Sequence, residues 1–160
     1  MFKNTPQIDE EKYIKHQVFT NLEEMIDFYE LLSFSAFGFL KNGVEMHNFD
    51  SFMYSSMQGT LESINIILKN GRINDSYSLL RKYYDFSIIN IYANLYLKDN
   101  ISPEYDIVEK INNWLQGTEQ LPEFRIMSQR IRGSKRLEDI NNILYKDNSY
   151  KEIRDHCNNL

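Results

Sequence analysis

The segment from Tyr77 to Leu97 carries two apolar stripes at once. One runs Tyr77, Leu80, Tyr84, Ile88, Ile91 and Leu95. The other runs Leu79, Tyr83, Phe86, Ile89, Ala93 and Leu97. Each advances by three or four residues, the repeat of a single helix face. A surface helix shows one such stripe, whereas a helix with two needs neighbours on more than one side. The spacing therefore predicts a long central helix, capped by Asn74 or Asp75 and ended by Asp99-Asn100. A chain built around it must supply other helices as cover.

The rest of the sequence supplies them. Leu22, Met25, Tyr29, Leu32, Ala36 and Phe39 form one stripe, stopped by Asn42-Gly43. A second helix starts near Asn48 or Asp50, carries Met53, Met57, Leu61, Ile64 and Leu68, and stops at Asn70-Gly71. Its Ser56, Gly59, Thr60 and Ser63 are small enough to let another helix approach. Ser102-Pro103-Glu104 opens a helix with Val108, Ile111 and Leu115 beside Trp114, closed by Gly117. Leu121-Pro122-Glu123 opens a shorter one with Phe124, Met127 and Ile131, closed by Gly133. Leu137, Ile140 and Leu144 mark another, and Tyr150, Ile153, Cys157 and Leu160 the last.

No stretch alternates with period two. Short connections favour antiparallel neighbours. The expected fold is all-α: an up-and-down helical bundle of four main helices plus short C-terminal helices, one domain over residues 21–160. Residues 1–20 are read as a weakly ordered segment, with Pro6 and the acids Asp9, Glu10 and Glu11 able to open a short helix. The last stripe still runs at Leu160, with no glycine stop or polar tail. The natural polypeptide is therefore expected to continue, leaving this domain truncated at its C-terminus.

Composition narrows the function classes. Apolar residues make up 42% and aromatics 14% of the 160 residues, too much for a disordered chain. The net charge is −5, against the usual basic balance of nucleic-acid-coating proteins. One stretch reverses it. Arg125, Arg130, Arg132, Lys135 and Arg136 stand against Glu123 alone. They form either a solvated helix face or an anion or RNA contact. The single cysteine, Cys157, excludes a disulfide framework and a cysteine zinc site, and fits a reducing cytoplasm. Met1–Glu10 is polar and acidic, unlike a secretory signal. No apolar run reaches the ~20 residues of a membrane span. The longest candidate, Leu31–Leu40, is broken by Ser33, Ser35 and Gly38.

His16, His47 and His156 have no second histidine or carboxylate four residues on, so no metal site is expected. There is no glycine-rich phosphate loop and no G-x-S-x-G elbow, and no cofactor is expected. Cys157 follows His156 directly, and successive helical residues point ~100° apart, which argues against a Cys–His nucleophile pair.

Two charged constellations remain. Arg81 and Asp85 lie four apart on the central helix. They read as a structural ion pair or as residues lining a site, with Arg72 and Asp75 as candidate further partners. Arg154-Asp155 lies on the last helix, with Asn158 one turn on. An arginine beside small polar groups can hold a phosphate. The alternative is a surface arginine whose stem lies on the core.

Two stretches resemble the HEPN superfamily of helical bundles, found in prokaryotic toxins, phage-defence proteins and RNA-processing enzymes. The first is Gly59-Thr60-Leu61-Glu62-Ser63-Ile64 together with Gly71-Arg72-Ile73-Asn74-Asp75-Ser76-Tyr77-Ser78-Leu79-Leu80-Arg81-Lys82-Tyr83-Tyr84-Asp85. It is similar to the central helix of an uncharacterised HEPN-like branch. The second is Arg154-Asp155, which resembles the opening of the family's Arg–polar–x–His motif. The resemblance implies metal-independent RNA cleavage across a homodimer interface. Arg154 would stabilise phosphate charge and a histidine would move the proton. Here the motif's histidine positions are Asn159, Leu160 and the next residue beyond, and His156 stands only two places after Arg154. Ribonuclease activity therefore requires a histidine following Leu160. The rival expectation is a non-enzymatic helical module that dimerises or binds a partner protein, its many Tyr and Phe suiting an interface. An antitoxin-like regulator is a third.

Overall fold

A computed structural model describes residues 8–38, 47–100, 109–144, 146 and 149–158. The helices are α1 (Glu11–Ile14), α2 (Gln17–Gly38), α3 (His47–Lys69), α4 (Ile73–Asn100), α5 (Glu109–Gln116) and α6 (Phe124–Arg132). A 3-10 turn, Lys135–Leu137, leads into α7 (Glu138–Leu144), and α8 (Ser149–Asn158) follows. No strand occurs among the described residues. The protein is an all-α helical bundle in which α2 packs on α3, and α4 packs on α3, α6 and α8. The sequence features at Pro6, Phe39, Asn42-Gly43, Ser102-Pro103-Glu104, Val108 and Leu160 lie outside the described residues.

The two stripes of α4 meet two different sets of neighbours. Ala93, with Tyr83, Phe86, Ile89 and Leu97 around it, packs against buried Phe49, Met53 and Met57 of α3 and Ile111 of α5. On the other side, Ile88 and Leu95 pack with Met127 and Ile131 of α6. At the start of α4, Leu79 and Leu80 join Leu22 of α2 and Leu61 and Ile64 of α3. Burying one such side chain is worth about 1.5–3 kcal/mol, so covering both faces fixes α4 at the centre.

A polar tie accompanies the apolar one. Asp50, expected as a cap, sits in the first turn of α3. Its Oδ1 accepts from the side-chain amides of Asn90, at 2.9 Å, and Asn94, at 2.8 Å. Asn90 is only 8% exposed, so without Asp50 its amide would be buried unpaired. This pins the start of α3 to the middle of α4.

The inward face of α2 differs by one residue from expectation. Val18, Leu22, Ile26 and Tyr29 turn towards α3 and α4, while Met25 is exposed. Both 22–25–29 and 22–26–29 are legitimate helical spacings, and packing against α3 selects the second. The helix also starts at Gln17 rather than near Asn21. Phe19 is buried there, and the Tyr13 hydroxyl donates to the Leu68 carbonyl at 2.6 Å.

Two glycines end helices in the left-handed conformation. Gly71 has φ +71°, with Gly71 N–H donating to Leu68 O (2.8 Å) and Arg72 N–H to Ile67 O (3.1 Å). Gly117 has φ +69° and closes α5, with Thr118 N–H donating to Asn113 O. Both are the double closure of a Schellman motif. Gly133 ends α6 at φ −79°, a conformation open to any residue, because the chain leaves through an extended Ser134 instead. Gly71→Ala should cost about 1–2 kcal/mol, the left-handed penalty for a residue with a Cβ. The added Cβ would also lie 2.6 Å from the movable tip of Ile8. Gly133→Ala should cost little, and urea unfolding of the two variants side by side measures the contrast.

Candidate functional site

Helix α8 lies against α4, and a cavity of about 190 Å³ opens between them. Leu80, Tyr83 and Tyr84 of α4 and Ile153 and Cys157 of α8 make most of its wall. Three charged residues complete it: Arg81, Asp85 and Arg154. The two constellations that are separate in sequence are thus brought to one place. A second cavity, of about 300 Å³, lies between α6 and α8. It is lined by Phe124, Arg125, Ser128, Gln129 and Arg132, and again by Arg154.

Arg154 therefore walls both spaces. Its guanidinium lies over the Phe124 ring, 4.1 Å from the centroid. Stacking occupies the flat face of the group and leaves its in-plane N–H donors unused. Arg154 has no hydrogen bond or ion pair among the described residues. Arg125 likewise has no ionic partner there, and it stands beside Arg132 and Arg154 around the second cavity.

Arg81 Nε and Asp85 Oδ2 are 3.8 Å apart, an ion pair too long to be a hydrogen bond. Their side chains are 49% and 43% exposed, so the pair is screened and worth a few tenths of a kcal/mol, about the value of an exposed i,i+4 pair. Asp85 makes no hydrogen bond among the described residues, which leaves its carboxylate oxygens available. Arg72 and Asp75 pair with each other at 2.5 Å on the exposed start of α4 and do not join the cavity.

The basic stretch is divided by helix geometry. Arg125 and Arg132, seven residues apart, share the face of α6 that meets Arg154. Arg130 turns elsewhere. Its Nη2 donates to Asp99 Oδ2 at 2.7 Å, and Arg136 Nη1 donates to Asp99 Oδ1 at 3.0 Å. These two, with Lys135, line a separate depression at the end of α4. Asp155 is exposed and lines none of these spaces. Asn158 belongs to α8, and its side chain lies outside the described residues. The His156 ring packs edge-on against Tyr77, at 4.9 Å between centroids, away from both cavities.

Two contributors were not singled out by sequence reasoning. Ser128 is 4% exposed, and its buried hydroxyl has no hydrogen-bond partner in the structure. It lines the arginine cavity. The polar run 125, 128, 129, 132 along α6 was the available signal, since those spacings put all four on one face. Cys157, on the apolar stripe of the last helix, is buried and also walls the first cavity. Burial pushes its thiol up from the ordinary value, only partly opposed by the charge of Arg81. That keeps it a neutral, apolar wall at pH 7 rather than a nucleophile.

Among the described residues no three His, Cys, Asp or Glu side chains gather as a metal site, and no helix is long and apolar enough to cross a membrane. The arrangement offers a cluster of guanidinium donors beside a ring-sized apolar space. Comparison with protein-family models, curated proteins and solved structures finds no match to the chain.

Proposed function

We propose that this protein binds RNA, gripping backbone phosphate with Arg154, Arg125 and Arg132. The observation that carries the reading is Arg154, a guanidinium over Phe124 with no ionic partner among the described residues, set between two cavities that are both lined by further arginines. Like-charged side chains held around one concavity are stabilised by an anion. A phosphate can take bidentate donors from each of them. The HEPN-like resemblance of Arg154-Asp155 and of the central helix supplies the context, a helical protein of prokaryotic defence or toxin biology acting on RNA in the cytoplasm. His156 packs on Tyr77, away from both cavities, so the reading assigns these arginines to phosphate binding.

The experiment is fluorescence anisotropy of a single-stranded RNA across a salt series. Each lost phosphate contact should flatten the slope of log K against log[salt] by about 0.7. Arg125→Ala should therefore lower it by about 0.7, since that side chain has no ionic partner among the described residues. Arg130→Ala should change it less, since Asp99 already holds that side chain. Equal slopes for all three proteins would remove the arginine cavity from the binding surface. Incubating the same RNA in EDTA separates binding from metal-independent cleavage.

A second reading has its own observation. Phe28, Leu31 and Phe34 on α2 and Phe52 on α3 are all more than half exposed. Such exposed rings and aliphatics suit a helical dimer seam or a protein partner. Sedimentation that shows a monomer even at high concentration would exclude the dimer.

A further inference from the structure

We propose that the outer face of α2 docks a basic amphipathic helix of a partner protein. The inference rests on the second reading above, in which exposed apolar side chains mark an interface, and it names the chemistry of the partner. Three observations carry it.

The first is the face itself. One side of α2 is taken: Val18, Leu22, Ile26 and Tyr29 pack inward. Further along, the Ser33 hydroxyl donates to the Ser51 carbonyl and the Ser51 hydroxyl to the Ser33 carbonyl, both at 3.2 Å, which holds that side against α3. On the opposite side Phe28, Leu31 and Phe34 follow at steps of three, all more than half exposed. Side chains three apart form one ridge of a helix surface, the row on which a second helix packs. A contiguous apolar row left bare in this way marks an interaction site.

The second is the charge beside that row. Glu24, Asp27 and Glu30 form a neighbouring ridge, each acid four residues before one of the three apolar side chains. All three are exposed, and none has an ion pair among the described residues. Helix α2 carries no lysine, arginine or histidine. Across α2 and α3 the only lysine or arginine is Lys69, and it is paired with Glu23 at 3.2 Å.

The third is what this charge selects. A second copy laying its own α2 here would set carboxylates against carboxylates. An anionic lipid surface or a nucleic acid is repelled for the same reason. A helix with a lysine or arginine one turn from each of its apolar side chains meets both ridges at once. Its apolar row lies on Phe28, Leu31 and Phe34, and its cations stand at Glu24, Asp27 and Glu30. The aromatic anchors supply affinity, and the charges fix orientation and partner.

The test uses the whole protein and a fluorescein-labelled peptide of leucine and lysine at helical spacing, beside a counterpart with glutamate for every lysine. Anisotropy should show saturable binding of the lysine peptide, with the glutamate peptide weaker by about 100-fold. Leu31→Ser with Phe34→Ser should weaken the lysine peptide by about 30-fold, the loss of an interface anchor. Asp27→Asn with Glu30→Gln should weaken it by about tenfold at low salt and by less at high salt. Undiminished binding by the serine variant would mean attraction by net charge alone and would overturn the docking face. Equal binding of the two peptides would overturn the choice of a basic partner. Sedimentation showing a dimer that the serine variant breaks would overturn it in favour of a second copy, and the interface reading would stand. A monomer that binds neither peptide would overturn both. If the serine variant loses its helical circular dichroism, the two peptides on the unaltered protein and the carboxylate variant decide.

Discussion

Ala93→Asp should leave no folded population at 25 °C. Ala93 is 0% exposed, at the point where α4 meets Phe49, Met53 and Met57 of α3 and Ile111 of α5. The side chains packed there are apolar, so a carboxylate placed among them would be taken out of water, at a cost of several kcal/mol. Protonation offers a partial escape, but the neutral acid still lacks a partner, about 1–3 kcal/mol. It also overfills a packed site, for a further ~1–3 kcal/mol. Against a total stability of roughly 5–15 kcal/mol, that removes most or all of the margin. Circular dichroism should show the loss of helix, and urea titration should show no cooperative transition. Ala93→Ser, smaller and able to bond back along its own helix, should fold with a lowered midpoint. A native-like Ala93→Asp would mean that the second stripe of α4 does not face α3 and α5.

That stripe could be read from sequence because helix burial is a local, periodic property. Two apolar stripes on one segment have few physical solutions, and the structure gives each its own neighbours along the middle of α4, while Ile91 of the first stripe is left exposed and Leu79 and Leu80 share one cluster. Asn70-Gly71 was readable for a similar reason, since a left-handed stop is chemistry of one residue. Gly133 looked identical in sequence and is not left-handed, because the following residue carries the turn. The choice between Met25 and Ile26 was open, because both spacings describe a helix face and only α3 decides.

The candidate site was harder. Arg81 and Asp85 lie about seventy residues before Arg154, and nothing local says that α8 docks on α4. The five cations of residues 125–136 were counted along a line. On a helix that turns ~100° per residue, they part into a group facing Arg154 and a group held by Asp99. A linear charge count cannot make that division. Asp50 shows the same limit: an acid at a helix start reads as a cap, and only the fold brings Asn90 and Asn94 to it.

Arg154→Ala is expected to weaken binding of single-stranded RNA by about 10- to 100-fold at low salt. A hydrogen bond to a charged group is worth roughly 1.5–3 kcal/mol, and each 1.4 kcal/mol is a factor of ten. The slope of log K against log[salt] should fall by about 0.7, one phosphate contact. Folding should be nearly untouched, because the guanidinium makes no ion pair among the described residues and its contact there is with the Phe124 ring. Arg154→Lys is the sharper variant. It restores the charge but neither the flat stack on Phe124 nor the paired donors. If the site works by positioned donors, the lysine variant recovers the salt slope while its affinity stays several-fold low. If it works by charge alone, lysine restores both. Unchanged affinity in the alanine variant would place the phosphate contact elsewhere. The unpaired guanidinium between the two cavities would then be a surface arginine whose stem lies on the aromatic core.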